Sequence, residues 1–182
     1  MSLPPERLVY DATVESMFSR ALKPRLTTRL KARVKEAGID LDAKLKPSYP
    51  RDVWQRAMRI VVEELYLGVP EERAWFELGE RLVASLGETV LGSATLGIVK
   101  LLGPKRALER MSQTFRHANN YNHSKLEEVG PGRFQLWVNE VGVSPHFIAG
   151  TVFATLKIAG AADPRVEIAA FDGHECTYAI SF

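Results

Sequence analysis

An α+β fold, an N-terminal helical bundle packed on a C-terminal four-stranded antiparallel sheet, is the architecture this sequence predicts. Three observations predict it. Apolar residues recur every three or four positions through the first two thirds of the chain, then change to every second position from Asn119. Six helical segments precede the first confident strand, which favours segregated layers over βαβ repeats. Residues 145–182 read as one helix and a closing hairpin: Ser144 caps, Pro145 takes the first helical position, and Asp172-Gly173 supplies a type I′ turn.

Taken in order, residues 1–12 read as a loose arm or a first strand ending at Tyr10. Thr13 caps a helix with Val14, Met17, Phe18, Ala21 and Leu22 on one face, stopped before Pro24. A second helix over 25–37 turns Leu26, Leu30 and Val34 inward and ends at Gly38. Its outward residues Arg25, Arg29, Lys31, Arg33 and Lys35 form the most basic face of the chain. That face suits either an anionic partner or a solvated surface balanced by glutamates. Residues 44–50 form a linker. Asp52 opens a helix with Trp54, Ala57, Met58, Val61 and Leu65 inward, broken at Leu67-Gly68-Val69-Pro70. Further helices carry Trp75, Leu78, Leu82 and Val83, then Val90 to Leu102, then Ala107 to Phe115 beyond Gly103-Pro104. Gly92, Ala94 and Gly97 would let a second helix approach, from inside the molecule or from a second copy.

Residues 122–129 read as a strand, Gly130-Pro131-Gly132 as a turn, and Phe134, Leu136 and Val138 as the inward side of the next strand. In the closing hairpin Val166, Ile168 and Ala170 answer Cys176, Tyr178, Ile180 and Phe182. The organisation expected is a single domain over 1–182, mainly helical over 13–118, with a sheet and one inserted helix over 119–182.

Bulk properties narrow the function. The 182 residues are 46% hydrophobic, enough for a core, and 24 basic against 22 acidic residues leave a net charge of +2. This balance argues against nucleic acid as a partner. One cysteine fits a reducing compartment, the first six residues lack a signal-peptide core, and no apolar window spans a bilayer. The location expected is cytoplasmic.

The succession Tyr49…Trp54-Gln55-Arg56-Ala57-Met58, Leu67-Gly68-Val69-Pro70-Glu71-Glu72 and Phe76-Glu77-Leu78-Gly79-Glu80-Arg81-Leu82 resembles the helical half of heme–nitric-oxide-binding domains. Pro145-His146-Phe147, Gly150 and Gly173-His174-Glu175-Cys176-Thr177-Tyr178 resemble their closing half, and are similar to four-vinyl-reductase and transport-particle (TRAPP) domains of the same fold. As a whole the chain most resembles an uncharacterised paralogous family of this length from myxobacteria. The resemblance covers roughly residues 49–182 and implies that fold.

It does not carry over the cofactor. A heme sensor needs an imidazole on the proximal side of iron. All four histidines, His117, His123, His146 and His174, follow residue 116. The family's Tyr-x-Ser-x-Arg propionate clamp is imitated only loosely by Tyr121-Asn122-His123-Ser124-Lys125. No cofactor, metal site or catalytic residue is therefore expected. His117, His123, His174 and Cys176 lack a zinc-site spacing, and Cys176 with His174 two residues away reads as an inert thiol beside a turn.

What remains is apolar volume. Trp54, Met58, Trp75, Met111, Phe115, Phe147 and Phe153 suit either a filled core or a ligand pocket between helices and sheet. The function expected is a non-catalytic module that forms a homodimer or docks a protein partner. The alternative is a sensor for an apolar small molecule or lipid.

Overall fold

The computed structural model describes residues 6–86 and 90–182. Strand β1 (Leu8–Tyr10) leads directly into α1 (Asp11–Glu15), which passes into a π-helical turn (Ser16–Ala21) and a short 3-10 turn (Lys23–Arg25). Then come α2 (Thr28–Glu36), β2 (Ser48–Pro50), α3 (Arg51–Leu65), α4 (Glu71–Leu86), α5 (Val90–Glu109), broken as expected at Gly103 (φ 77°, ψ 170°) before Pro104, and α6 (Met111–Ala118). The sheet region holds β3 (Ser124–Gly130), β4 (Arg133–Val138), α7 (Pro145–Ile158), β5 (Arg165–Phe171) and β6 (Cys176–Ser181). The expected layering is present, and the four-stranded sheet is antiparallel throughout, in the order β3-β4-β6-β5.

The N-terminal segment differs from a loose arm. β1 pairs antiparallel with β2, which forms the end of the expected linker. Helix α1 starts from a strand residue, Tyr10, so Thr13 is no cap; its hydroxyl donates to the Ala118 carbonyl at 3.1 Å. α2 is shorter than the expected 25–37 because Thr27 caps it, its Oγ1 accepting from Leu30 N at 3.1 Å. Replacing Thr27 by alanine is expected to cost about 1 kcal/mol, and by glycine only a few tenths, read by urea denaturation.

Two hydrophobic clusters form the interior. One gathers α1 to α4 around Phe18, Met58 and Leu78; the other lies between the sheet and α6 and α7, around Leu136, Leu156 and Tyr178. They meet where α4 crosses α7. A Cβ built on Gly79 would lie 2.2 Å from the Phe147 carbonyl oxygen, and one on Gly150 2.0 Å from that of Phe76. Only hydrogen fits there, so the helices touch backbone to backbone. Gly97 has no atom within 4 Å of such a Cβ, so the expected internal packing of α5 at this glycine is absent. The surroundings of Gly92 lie outside the described positions.

Inward residues of β4 and β6 alternate as expected: Phe134, Leu136, Val138, Cys176, Tyr178 and Ile180 are buried. The Tyr178 hydroxyl donates to the Pro145 carbonyl at 3.0 Å, tying the sheet to the start of α7. Two details of the closing hairpin differ. The Asp172-Gly173 pair is not a type I′ turn, which needs positive φ at both residues; only Gly173 has one, at 95°. Instead residues 172–175 form a four-residue loop, with Asp172 Oδ1 accepting from the backbone N–H groups of His174 and Glu175, both at 2.8 Å. A register break between Ile168 and Ala170 then shifts the alternation: Ala170 lies opposite outward-facing Thr177, and Phe171, opposite buried Cys176, comes onto the face of Ile168 but stays exposed at the strand end. Strand β6 lies inside the sheet, so removing residues 175–182 is expected to unfold the sheet cluster; a soluble, cooperative truncation by circular dichroism would contradict this.

Candidate functional site

Phe171, exposed on the same face as Ile168, helps build an open groove of about 690 Å³. Three segments shape it. The α3–α4 loop and first turns of α4 give Pro70, Glu71, Glu72 and Trp75; the start of α7 gives Ser144, Pro145 and His146; β5 gives Ile168 and Phe171. Trp75 is buried to 3% exposure while Phe171 stands 45% exposed, so the groove has an apolar floor and an uncovered apolar wall. The Trp75 indole N–H donates to Glu71 Oε1 at 3.1 Å. Glu71 and Glu72 lie in the first turn of α4, where the helix dipole favours carboxylates. Among the described residues no lysine or arginine lines the groove. The Ser144 hydroxyl accepts from His146 N at 3.2 Å and fixes the helix start as the sequence predicts.

The seven sequence-predicted pocket residues are dispersed. Trp54, Met58 and Trp75 belong to the helical cluster, with Phe147 packed on it. Met111 and Phe115 belong to the sheet cluster. Phe153 lies against Phe76, ring centroids 5.4 Å apart. Trp75 alone among the seven lines the groove. Sequence reasoning missed Pro70, Pro145, Ile168 and Phe171; the available signal was an apolar residue beyond the end of a buried alternation.

A second feature escaped it entirely. Glu140 is 2% exposed, in the stretch after β4. Its Oε1 accepts from Arg51 at the start of α3, and its Oε2 lies 3.2 Å from Arg7 Nε and 3.9 Å from His174 Nε2. Asn122 Nδ2 donates to the Glu140 carbonyl. Burial, and after it the Glu140 charge, pushes the Tyr121 phenol up to about 12. The carboxylate thus joins the N-terminal arm, α3 and the hairpin loop.

The remaining candidates separate. The basic face of α2 faces carboxylates: Arg33 meets Glu63 and Glu64, each at 2.7 Å, and Arg29 meets Glu64 at 3.1 Å. Lys31 pairs with Asp42 at 2.6 Å and Lys35 with Asp40 at 2.7 Å. Much of its charge is therefore met within the chain. Cys176 is buried, which pushes its thiol up, whereas His174 is exposed on the loop, so the two do not pair. Among the described residues no three His, Cys, Asp or Glu side chains are placed to hold a metal ion.

Heme is the group that the fold implies, and these residues do not fit it. α3, α4 and α5 carry no histidine. His117, His123 and His174 are exposed, and His146 sits at the groove mouth. In the segment that imitates the propionate clamp, Lys125 lies over the Trp137 ring at 5.4 Å. At the crossing of α4 and α7 the backbones touch at Gly79 and Gly150, so no ligand fits between the two helices at that point.

Solved structures share the fold at low identity. An oxygen-binding H-NOX domain related to soluble guanylate cyclases, in its oxygen complex, is 14% identical, with a TM-score of 0.68 over 94% of this chain and 93% of that one. An H-NOX protein from S. oneidensis in the Fe(II)NO state is 12% identical, with a TM-score of 0.65 over 93% and 95%. The Fe(II) unliganded H-NOX protein from K. algicida is 12% identical, with a TM-score of 0.63 over 93% of each chain. No curated protein matches the sequence. The family model described as a protein of unknown function, DUF2378, matches residues 7–182, and the chain belongs to that family.

Proposed function

We propose that this chain is a non-catalytic binding module on the H-NOX fold, without heme, that works by protein contact at the groove. The observation that carries the reading is the groove itself: an apolar floor at Trp75, an exposed apolar wall at Phe171 and an acidic rim at Glu71 and Glu72. The α3–α4 loop extends the apolar surface with Leu67, 83% exposed, and Val69, 37% exposed. Exposed apolar surface of this kind, rimmed by charge, marks interaction sites. Among the described residues no helix is long and apolar enough to cross a membrane.

A second reading, a sensor for an apolar small molecule or lipid, has one observation in its favour. The Tyr66 hydroxyl is buried in the helical cluster with Trp54 and Met58 and has no hydrogen-bond partner among the described residues. Unpaired buried hydroxyls are costly, and a ligand's acceptor would satisfy this one.

Absorption spectra and native mass spectrometry test both readings. After expression with added hemin, no Soret band is expected, and no mass is expected beyond that of the 20.3 kDa chain or whole multiples of it. A stoichiometric Soret band overturns the proposal. A co-purifying apolar adduct that disappears in Tyr66→Phe transfers the function to the sensor reading.

A further inference from the structure

We infer that the groove receives helix α5 of a second copy of this chain. The inference deepens the binding-module reading and rests on it. The groove selects a chemistry: an apolar anchor for the space between Trp75 and Phe171, with positive charge beside it to meet the rim. Among the described residues Glu72 has no ion pair, and Glu71 engages only the Trp75 indole.

The chain carries that chemistry, exposed, on α5. Leu101 is 89% exposed, the most of any large apolar side chain described, and Ile98, one turn earlier, is 51% exposed. They lie on one face by their spacing of three. Ala94 and Gly97 are exposed on the same stretch, and Gly97 has open space around it, so a facing surface can approach closely. Lys100 is exposed beside Leu101, without an ion pair among the described residues. Apolar anchors with a free ammonium on one side and an apolar slot with free carboxylates on the other are complementary in both respects. When each copy offers its α5 to the other's groove, two equal contacts close the assembly around a two-fold axis.

Sedimentation equilibrium of the full chain over a wide concentration range is the test. Reversible dimerisation is expected. Leu101→Ser and Glu72→Lys change exposed side chains, so circular dichroism stays native while self-association weakens about tenfold or more. Lys100→Glu weakens it likewise. An equimolar mixture of the Glu72→Lys and Lys100→Glu chains is expected to associate more tightly than either alone, because both contacts then pair opposite charges. A chain monomeric at every concentration overturns the inference, as does self-association indifferent to these substitutions or a mixture no tighter than its components. A monomer that also lacks a Soret band removes self-docking alone and leaves the binding-module reading standing.

Discussion

Gly150→Ala is expected to lower stability by about 3 kcal/mol or more, at the upper end of overpacking costs or beyond. The size follows from what the added methyl would meet. Its carbon would lie 2.0 Å from the Phe76 carbonyl oxygen and 2.8 Å from the carbonyl carbon. These are backbone atoms of a facing helix, so no rotamer change relieves the clash and α4 must move away from α7. That movement also separates Phe76 from Phe153. A total stability of about 5–15 kcal/mol makes such a loss visible as a shifted urea midpoint. Gly79→Ala meets the Phe147 carbonyl oxygen at 2.2 Å and is expected to cost as much. The two faults share one remedy, so the double variant is expected to lose less than their sum. Gly97→Ala is the control. With no neighbour within 4 Å and no positive φ, alanine there is expected to gain up to about 1 kcal/mol of helix propensity. Equal midpoints for Gly150→Ala and Gly97→Ala would show that the helices do not touch as described.

Those glycines show what the sequence makes legible and what it does not. Local signals were sufficient for layers and for most elements. Ser144-Pro145 starts α7, and the alternation of Phe134 to Val138 and Cys176 to Ile180 marks the inward side of the sheet. All of that is encoded within a few residues of where it acts. A helical glycine, by contrast, has the same local cost whether it faces backbone or solvent, so Gly97 invites a packing role and Gly79 conceals one. The basic face of α2 was legible as charge, yet Glu63 and Glu64, which neutralise it, come from α3. The groove was not legible because three separate segments make it, and because the register break that brings Phe171 onto the face of Ile168 depends on pairing with β6. Nothing local marks Glu140, since its partners Arg7 and Arg51 lie far away in sequence.

Glu140→Ala is the second large effect, an expected loss of about 3–5 kcal/mol, the usual cost of removing one partner from a buried ion pair. Most of it should come from Arg51, whose side chain is 25% exposed, rather than from Arg7, which is 52% exposed and can turn to water. Glu140→Gln keeps the shape and an acceptor, so it is expected to lose less than the alanine variant. Replacing Arg51 by Met together with Glu140 by Leu removes both charges and is expected to recover part of the loss. The same carboxylate enters the alkaline limit of stability. Tyr121 keeps its proton in the folded chain up to about 12, against 10.0 ordinarily, chiefly through burial and then through the Glu140 charge. Between those values the folded state holds one more proton than the unfolded state, so stability falls as pH rises through that window. Below pH 10 the contribution is fully present. Tyr121→Phe is expected to remove this part of the slope in urea-derived stabilities measured across the window. In Glu140→Gln the Tyr121 transition is expected at lower pH but still above its ordinary value, because burial, the larger cause, remains. An unchanged slope in Tyr121→Phe would detach the phenol from the buried carboxylate, and with it the account of how the arm, α3 and the hairpin are held together.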